Sequence, residues 1–500
     1  MPTFDKNLQT EFDLLKEQNT FLLSENRLLK ATIAELEVTI AELKGNFAEL
    51  EATSRILQAT NINQGQEINK LKEQLGLNST NSSLPPSRDL YKAKRINRAK
   101  SERKPGGQPG HPGYSYQPLP ADEVIECLPN QCLCGHKLEK MDKFFSEQKI
   151  EIPPIKPYVK EYKRWYGYCS ACSKKRIAPL PEGVQSDLLG PHTKAIITCL
   201  NGFYHNSKRD VQTILKDIFN LDISLGLISD TAKRVNKELA VSYQDLKEKI
   251  TSSPYLHIDE TGHKNKGKRG WAWIFTNRET SLLKLSSSRG RQVLKSVLGK
   301  YEGQVISDRF GAYTYFEAEK RQICWSHIQR DFERFAHSLN PSLSKQGKRL
   351  VELSREVFGL KKALTRGQIE EDFFLKRIKK IKKELEYVFK CILRIRGIPQ
   401  GHGVAKRILK SFEMLWRFVE DKAIDMTNNL AERQLRKYVT YRKKLLFTWS
   451  TWGEEFVERM LSLFLTCRLN NSNSFDQLLL AINSSSLYTQ AKTHTAAMGV

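Results

Sequence analysis

The sequence predicts a multidomain protein with an N-terminal α coiled coil, a small zinc ribbon and an α/β core that carries an α-helical insertion. Three observations predict it. Leucines recur every seven residues through the first part of the chain. Two close cysteine pairs, Cys132/Cys134 and Cys169/Cys172, flank strand-like sequence. From residue 254 onward, short apolar runs bounded by turn residues read as strands, two of them ending on aspartate, and a long helical stretch follows.

Size and charge bound the function. The 500 residues suffice for three or four domains, and 39% hydrophobic residues suffice for a sizeable core. The formal net charge of +25 favours a polyanionic partner, most commonly nucleic acid. On charge alone, a merely basic ribosome-associated or membrane-surface protein would also fit. No segment approaches the ~20 apolar residues of a membrane span. The opening MPTFDKNLQTEFDLL lacks the basic head and apolar run of a signal peptide. Nine cysteines along so long a chain speak against a disulfide framework and for metal binding by a subset.

The coiled coil is expected over residues 8–77. Leu15, Leu22, Leu29, Leu36, Leu43, Leu50 and Leu57 form one seam position, and Phe12, Asn19, Asn26, Ile33, Ile40, Phe47 and Ser54 the other. The register continues through Asn61, Ile68, Leu71 and Leu75. Leucine at one position with asparagine at the other favours a parallel dimer, because buried asparagines pair across two strands. An amphipathic helix packed on the chain's own body is the alternative.

Residues 78–120 read as a linker. Asn78-Ser-Thr-Asn-Ser-Ser-Leu-Pro-Pro breaks helices, Gly106-Gly-Gln-Pro-Gly-His-Pro-Gly113 precludes regular structure, and a basic run from Arg88 to Lys104 between them could touch phosphate or serve as a solvated tether. Residues 121–185 hold the ribbon. Cys169-Ser-Ala-Cys172 is a CxxC knuckle, Cys132-Leu-Cys134-Gly is a tighter one, and strands are expected at 149–152 and 160–168. Four thiolates would satisfy a tetrahedral Zn²⁺, with Cys127 a substitute ligand because the CxC spacing is unusual. Residues 190–250 read as helical. The stretch from Asp210 to Val235 fits either a helix-turn-helix DNA reader or an ordinary helical hairpin.

Residues 254–470 make the core. Tyr255-Leu-His-Ile-Asp259 and Gly303-Gln-Val-Ile-Ser-Asp308 each deliver an acid at a strand end, and Asn428-Asn-Leu-Ala-Glu432 offers a third on a helix after an asparagine pair suited to capping. Phosphodiester chemistry needs an activated attacking oxygen and a neutralised leaving oxygen, which two Mg²⁺ ions held by carboxylates provide. Asp425, Glu420, Glu413, Glu454 and Glu455 compete with Glu432 for the third place. Taken singly, each acid is more simply a turn or surface residue. Arg433, Arg436, Arg442, Lys443 and Lys444, with aromatic residues among them, suit a DNA-facing surface.

Taken in order, several motifs resemble the IS66 family of insertion-sequence transposases: Leu256-His-Ile-Asp259-Glu-Thr-Gly, Ser307-Asp308-Arg-Phe-Gly-Ala-Tyr, Cys324-Trp-Ser-His327-Ile-Gln-Arg-Asp-Phe and Thr427-Asn-Asn-Leu-Ala-Glu432-Arg-Gln-Leu-Arg. The leucine repeat, Asn81-Ser-Ser-Leu-Pro-Pro-Ser, the Gly-Gly-Gln-Pro-Gly-His segment and the cysteine pairs share the resemblance. It implies an RNase H-like core with Asp259, Asp308 and Glu432 as a DDE metal triad, holding two Mg²⁺ or Mn²⁺ ions, and a helical insertion over about 333–424. Thr427 departs from the family pattern, in which many members carry aspartate before the asparagine pair. Cys324 and His327 form a C-x2-H that either shapes the active site or contacts the transferred strand, or is simply a buried pair.

The function expected is therefore cleavage at insertion-sequence ends and transfer of the 3′ ends to target DNA. The protein would act on transposon-end and target DNA as a dimer or higher oligomer, with helper proteins of the same element as further candidate partners. It would work in the bacterial cytoplasm, at the nucleoid, and off the membrane. A nuclease or resolvase on the same fold, or an inactive DNA-binding regulator, are the rival readings. Residues 471–500 read as a C-terminal tail.

Overall fold

A computed structural model describes residues 4–75 and 117–484 apart from 129, 183 and 185. The linker's residues 78–116, including the whole basic run, and residues 485–500 lie outside the described residues. The chain divides into two units, residues 1–93 with 337–344, and the remainder.

The first unit is dominated by one helix, α1 (Phe4–Leu75), 72 residues long. Its seam is not covered within the single chain. Leu15, Leu22, Leu29, Leu36, Leu43, Leu50 and Leu57 are all exposed, Leu36 by 56%.

In the second unit the cysteine-bearing stretch comes first. Two short strands, β1 (Tyr166–Cys169) and β2 (Lys174–Ile177), pair antiparallel around the CxxC turn. The strands expected at 149–152 and 160–165 do not form; that sequence is irregular. Of the described residues from 121 to 179, all are exposed except half-buried Cys132. Strand-like alternation alone therefore has no apolar surface here to pair against.

Helices follow: α2 (Pro191–Thr198), running into a π-helical turn (Cys199–Phe203), then α3 (Lys208–Phe219), α4 (Leu225–Glu238) and α5 (Ala240–Thr251). Ser207 and Asp210 close a capping box on α3, and Ser224 caps α4. These two helices cover the stretch from 210 to 235, where the sequence reads either as a helix-turn-helix or as an ordinary helical hairpin. Val211, Leu215 and Ile228 pack between them in a small apolar cluster of their own.

The sheet is built from β3 (Tyr255–Asn265), β4 (Lys268–Thr276), β5 (Ser281–Ser286), then, after α6 (Arg291–Leu298), β6 (Gln304–Ser307) and β7 (Arg321–Ile323). Its order is β5-β4-β3-β6-β7. The pairs β3/β4 and β4/β5 are antiparallel, and β3/β6 and β6/β7 parallel.

After β7 the chain turns helical. The helices are α7 (Trp325–Ala336), α8 (Pro341–Thr365), α9 (Glu371–Arg394), α10 (Pro399–Lys410) and the short α11 (Arg417–Glu420). On α9, Phe374, Ile378, Ile381, Leu385, Val388 and Ile392 recur at helical spacing and are buried. The chain then returns to the sheet as α12 (Asn429–Lys444) and α13 (Thr451–Leu469).

Both faces of the sheet are covered. On one, Ala272, Ile274, Leu283 and Leu285 pack against Ala431, Leu435 and Tyr438 of α12 and Met460, Leu461 and Phe464 of α13. Gly202 packs against Met460 in this layer; a Cβ there would sit 2.9 Å from Cε and 3.2 Å from Cγ of the methionine, so its flexible side chain would have to shift. On the other face, Leu256, Ile258, Trp273 and Phe275 pack against α5, α6 and Tyr313. The expected tail is not uniform. Residues 474–484 are helical, and Leu478 and Ile482 are buried in the α12/α13 layer.

Candidate active site

Alternation along β3 decides which side chains meet which layer. Leu256 and Ile258 point into the α5/α6 layer. Their alternates His257, Asp259, Thr261 and His263 face α12. His257 Nδ1 lies 3.3 Å from Asn428 Oδ1, Arg442 donates to Thr261 Oγ1 at 2.9 Å, and His263 meets the Tyr438 hydroxyl.

Asp259 is not at a strand end, as the sequence pattern suggests; β3 runs on through the hairpin to Asn265. The parallel neighbour is what stops. The β3/β6 register covers Tyr255–His257 opposite Gln304–Ile306, and Asp308 follows β6 directly. Asp259 and Asp308 therefore meet where parallel pairing ends, a position that in open sheets collects ligands.

The candidate for a third acid comes from α12. Asn428 occupies the N-cap, but its side chain makes no capping bond. Its Nδ2 instead donates to Ile258 O at 2.8 Å, and its backbone N–H donates to Cys324 Sγ at 3.1 Å. The asparagine expected as a cap is thus a tie between α12, β3 and the start of α7. Glu432 stands in the first turn beyond it.

The three carboxylates act on one another. Burial pushes the Asp259 carboxyl well above the usual range, and Glu260, Asp308 and Glu432 add like-charge repulsion. Asp308 Oδ1 accepts from its own loop, from Phe310 N at 2.8 Å. The rivals for the third place are engaged elsewhere. Asp425 lies between His257 and Arg278 (3.2 and 3.1 Å), Glu454 pairs with His263 at 3.0 Å, Glu413 with Lys382 at 2.6 Å and Glu420 with Arg417 at 2.7 Å. Glu455 lies 3.7 Å from Arg459.

A fourth acid, Glu260, sits on the opposite face of β3. Tyr313 donates to it at 2.6 Å and Arg289 at 2.7 and 3.0 Å. Burial, then Asp308, raises its pKa against these donors. Arg289 is itself clamped over the Phe310 and Trp271 rings. Glu260 was readable only as the neighbour of Asp259, and nothing in the sequence marks Arg289 or Tyr313 as its partners.

Cys324 and His327 come to the same place. Cys324 is buried at the end of β7, and His327 is one turn into α7. Their ligand atoms and that of Glu432 all lie within 4.8 Å of one another. Arg330 approaches Glu432 Oε1 at 3.5 Å.

Along α12, Arg433, Arg436, Lys443 and Lys444 are exposed. Arg442 is not free in the same way; it is half-buried and holds Thr261 and the Gly262 carbonyl. Burial lowers its pKa.

The cysteine pairs form two separate turns. Cys132 N donates to His136 O at 2.9 Å and Gly135 N to Cys132 O at 2.8 Å, with Gly135 at φ +90° as the tight turn requires. Each of Cys132 and Cys169 has its pKa lowered by backbone and thiol hydrogen bonds from its own partner, Cys134 and Cys172. Among the described residues the four sulfurs are not gathered around one centre.

A family model described as "Transposase IS66 family" matches residues 189–455, from α2 to the start of α13. That span is more than half of the 500-residue chain and contains every acid discussed above. The chain belongs to the IS66 transposase family. A second model, described as a family of unknown function (DUF6444), matches residues 25–117. The IS66-family chain is also similar to two proteins of Sinorhizobium fredii. It is 22% identical over 393 residues to the "Uncharacterized protein y4hP", covering 70% of this chain and 69% of the relative. It is 21% identical over 287 residues to the "Uncharacterized protein y4qI", covering 52% of each. No helix among the described residues is long and apolar enough to cross a membrane.

Proposed function

We propose that this IS66-family transposase is a DDE enzyme that cuts DNA at insertion-sequence ends and transfers the freed 3′ ends to target DNA. The observation that carries the reading is the mutual approach of Asp259, Asp308 and Glu432 at the edge where β6 ends. The sheet order, three strands antiparallel and two parallel, supports an RNase H-like core.

The donor set fits a hard divalent cation. It is all oxygen, burial and then like charge from Glu260, Asp308 and Glu432 raise the Asp259 pKa, a cost that a cation would offset, and Glu432 Oε1 is buried without a hydrogen bond. Asp259, Asp308 and Glu432 would hold Mg²⁺ or Mn²⁺. Two such ions, when bound, activate the attacking oxygen and neutralise the leaving one.

The chain's own residues hold the frame. Asn428 fixes α12 against β3, so the Glu432 carboxylate is aimed before DNA arrives. Arg289 and Tyr313 occupy the Glu260 carboxylate on the other face. Exposed Arg433, Arg436, Lys443 and Lys444 bind the DNA backbone, while Arg442 serves α12 by tying it to β3. Water attacks the phosphodiester at the transposon end, and the released 3′ hydroxyl attacks target DNA in line. The DNA supplies nucleophile and leaving group, so no protein-linked intermediate is required.

The cysteine turns complete the reading. A segment whose residues are almost all exposed has no core of its own, which supports one structural Zn²⁺ on Cys132, Cys134, Cys169 and Cys172. The exposed leucine seam supports a parallel coiled-coil dimer that brings two DNA ends together. Action on DNA supports a location in the bacterial cytoplasm, at the nucleoid.

Purified protein incubated with end-bearing DNA, target DNA and Mg²⁺ should yield both nicked and joined products. Nicking without joining would make it a nuclease or resolvase, and binding without either would make it a regulator.

A further inference from the structure

We propose that Cys324, His327 and Glu432 form a second metal site, selective for Zn²⁺ or a similar soft divalent ion, whose occupation takes Glu432 away from Asp259 and Asp308. The site stands on its own geometry. Only the antagonism rests on the proposed role of Glu432 in holding Mg²⁺.

The geometry comes from the meeting of two helix N-termini. Cys324 immediately precedes α7 and His327 lies in its first turn, while Glu432 lies in the first turn of α12. The positive ends of both helices favour anionic ligands. The Cys324 sulfur already accepts the Asn428 backbone N–H at 3.1 Å, a bond that strengthens when the thiol becomes a thiolate. The three ligand atoms lie within 4.8 Å of one another. Tetrahedral zinc holds sulfur, nitrogen and oxygen ligands roughly 3.3–3.6 Å apart. His327 Nδ1 and Glu432 Oε1 are 3.8 Å apart, a few tenths of an ångström from that requirement.

Two of the atoms have nothing else to do. His327 Nδ1 and Glu432 Oε1 are buried, and neither makes a hydrogen bond. An unpaired buried nitrogen and oxygen facing each other cost stability, so their juxtaposition calls for a bound group between them. Arg330, 3.5 Å from Glu432 Oε1, supplies countercharge on that side and would have to yield to a cation. The Glu432 side chain is 28% exposed and gives an ion its way in.

The chemistry then selects the ion. One thiolate, one imidazole and one carboxylate with a fourth position open suit Zn²⁺, whereas Mg²⁺ and Mn²⁺ prefer oxygen. Binding is a ligand exchange without redox change: the Cys324 S–H proton leaves to solvent as the sulfur–metal bond forms. Glu432 cannot serve both sites fully. By linkage, Mg²⁺ must weaken zinc binding by the same factor as zinc weakens Mg²⁺ binding.

Cobalt titration of the full-length protein tests this, because a thiolate–Co²⁺ pair gives a charge-transfer band that carboxylates alone do not. The wild type should show one equivalent of thiolate-bound Co²⁺ more than Cys324→Ser, and the same deficit should appear in His327→Gln. His327→Gln serves as the independent variant if the buried serine prevents folding, with circular dichroism as the check. Glu432→Gln should weaken that equivalent by more than the roughly 10–100-fold cost of losing an outer-sphere partner. A Cys169→Ser, Cys172→Ser double variant should leave this equivalent in place, which separates it from the cysteine ribbon. Excess Mg²⁺ should shift its midpoint to higher Co²⁺. Equal Co²⁺ stoichiometry in the wild type and a folded Cys324→Ser or His327→Gln protein overturns the site. A full Cys324-dependent equivalent that ignores Mg²⁺ leaves the site standing and overturns the sharing of Glu432 with Mg²⁺.

Discussion

At the residue scale, Glu432 and Asp425 make the sharpest contrast. Both are acids near the start of α12, but Asp425 is held between His257 and Arg278, with its pKa lowered first by the His257 imidazole 3.2 Å away. Glu432 instead adds to the repulsion at Asp259. Glu432→Gln keeps the volume and removes the charge, so end cleavage should fall by orders of magnitude while binding of end DNA persists on the exposed cations of α12. Asp425→Asn should lose far less. A Glu432→Gln enzyme that cuts normally beside a dead Asp425→Asn enzyme would move the triad. Asp259 makes a second prediction. Its folded-state pKa is raised, so the folded chain binds that proton more tightly than the unfolded chain. Its contribution to stability is therefore greatest below the ordinary aspartate range and declines as pH rises through the raised value. In chelator at neutral pH, Asp259→Asn should raise the Tm. Added Mg²⁺ should then raise the wild-type Tm and leave the variant's unchanged. A lower Tm for Asp259→Asn in chelator would show that the buried, crowded charge does not destabilise the fold.

At the scale of elements, the departures from sequence expectation share one cause. The strand carrying Asp259 looked complete at that acid because alternation fades there, yet β3 continues to Asn265 by pairing with β4. The end that matters belongs to β6. The Asn428–Asn429 pair has the composition of a cap, but a buried β3 carbonyl, Ile258 O, claims the Asn428 amide. A buried acceptor left alone costs about 1–3 kcal/mol, more than the ~1 kcal/mol of a typical cap. In the cysteine-bearing segment, the CxxC turn lies on the β1/β2 hairpin, whereas 149–152 and 160–165 stay irregular. Metal analysis should find one zinc per chain bound by this segment and lost in the Cys169→Ser, Cys172→Ser variant. Retention of that equivalent would remove the ribbon, and loss on Cys127→Ser would replace its first ligand.

At the scale of the whole molecule, the proposed assembly rests on α1. Its leucines at positions 15 to 57 are exposed along one continuous helix, and burying each leucine is worth about 1.5–3 kcal/mol. A second copy in register would cover them. Leu36→Pro removes a backbone hydrogen bond in mid-helix at a cost of about 3 kcal/mol or more. Light scattering should then report a lower mass than for the wild type; an unchanged mass would show that another surface assembles the protein.

The sequence by itself determined what depends on local order. The seven-residue leucine repeat specifies a long helix, since side chains at that spacing share one face. Strand alternation places Asp259 and Glu260 on opposite faces. The ordered motifs around Asp259, Asp308, Cys324 and Glu432 were enough to indicate the family. Tertiary structure alone decided what depends on chains meeting. It gave the five nearby acids partners of their own while setting Glu432 beside Asp259, turned Arg442 from the expected DNA surface onto β3, recruited residues 474–484 into the core, and brought Cys324 and His327 to Glu432 across the long helical stretch between them. These outcomes rest on desolvation and on competition for hydrogen bonds between segments far apart in the chain, and neither is written in the spacing of residues along it.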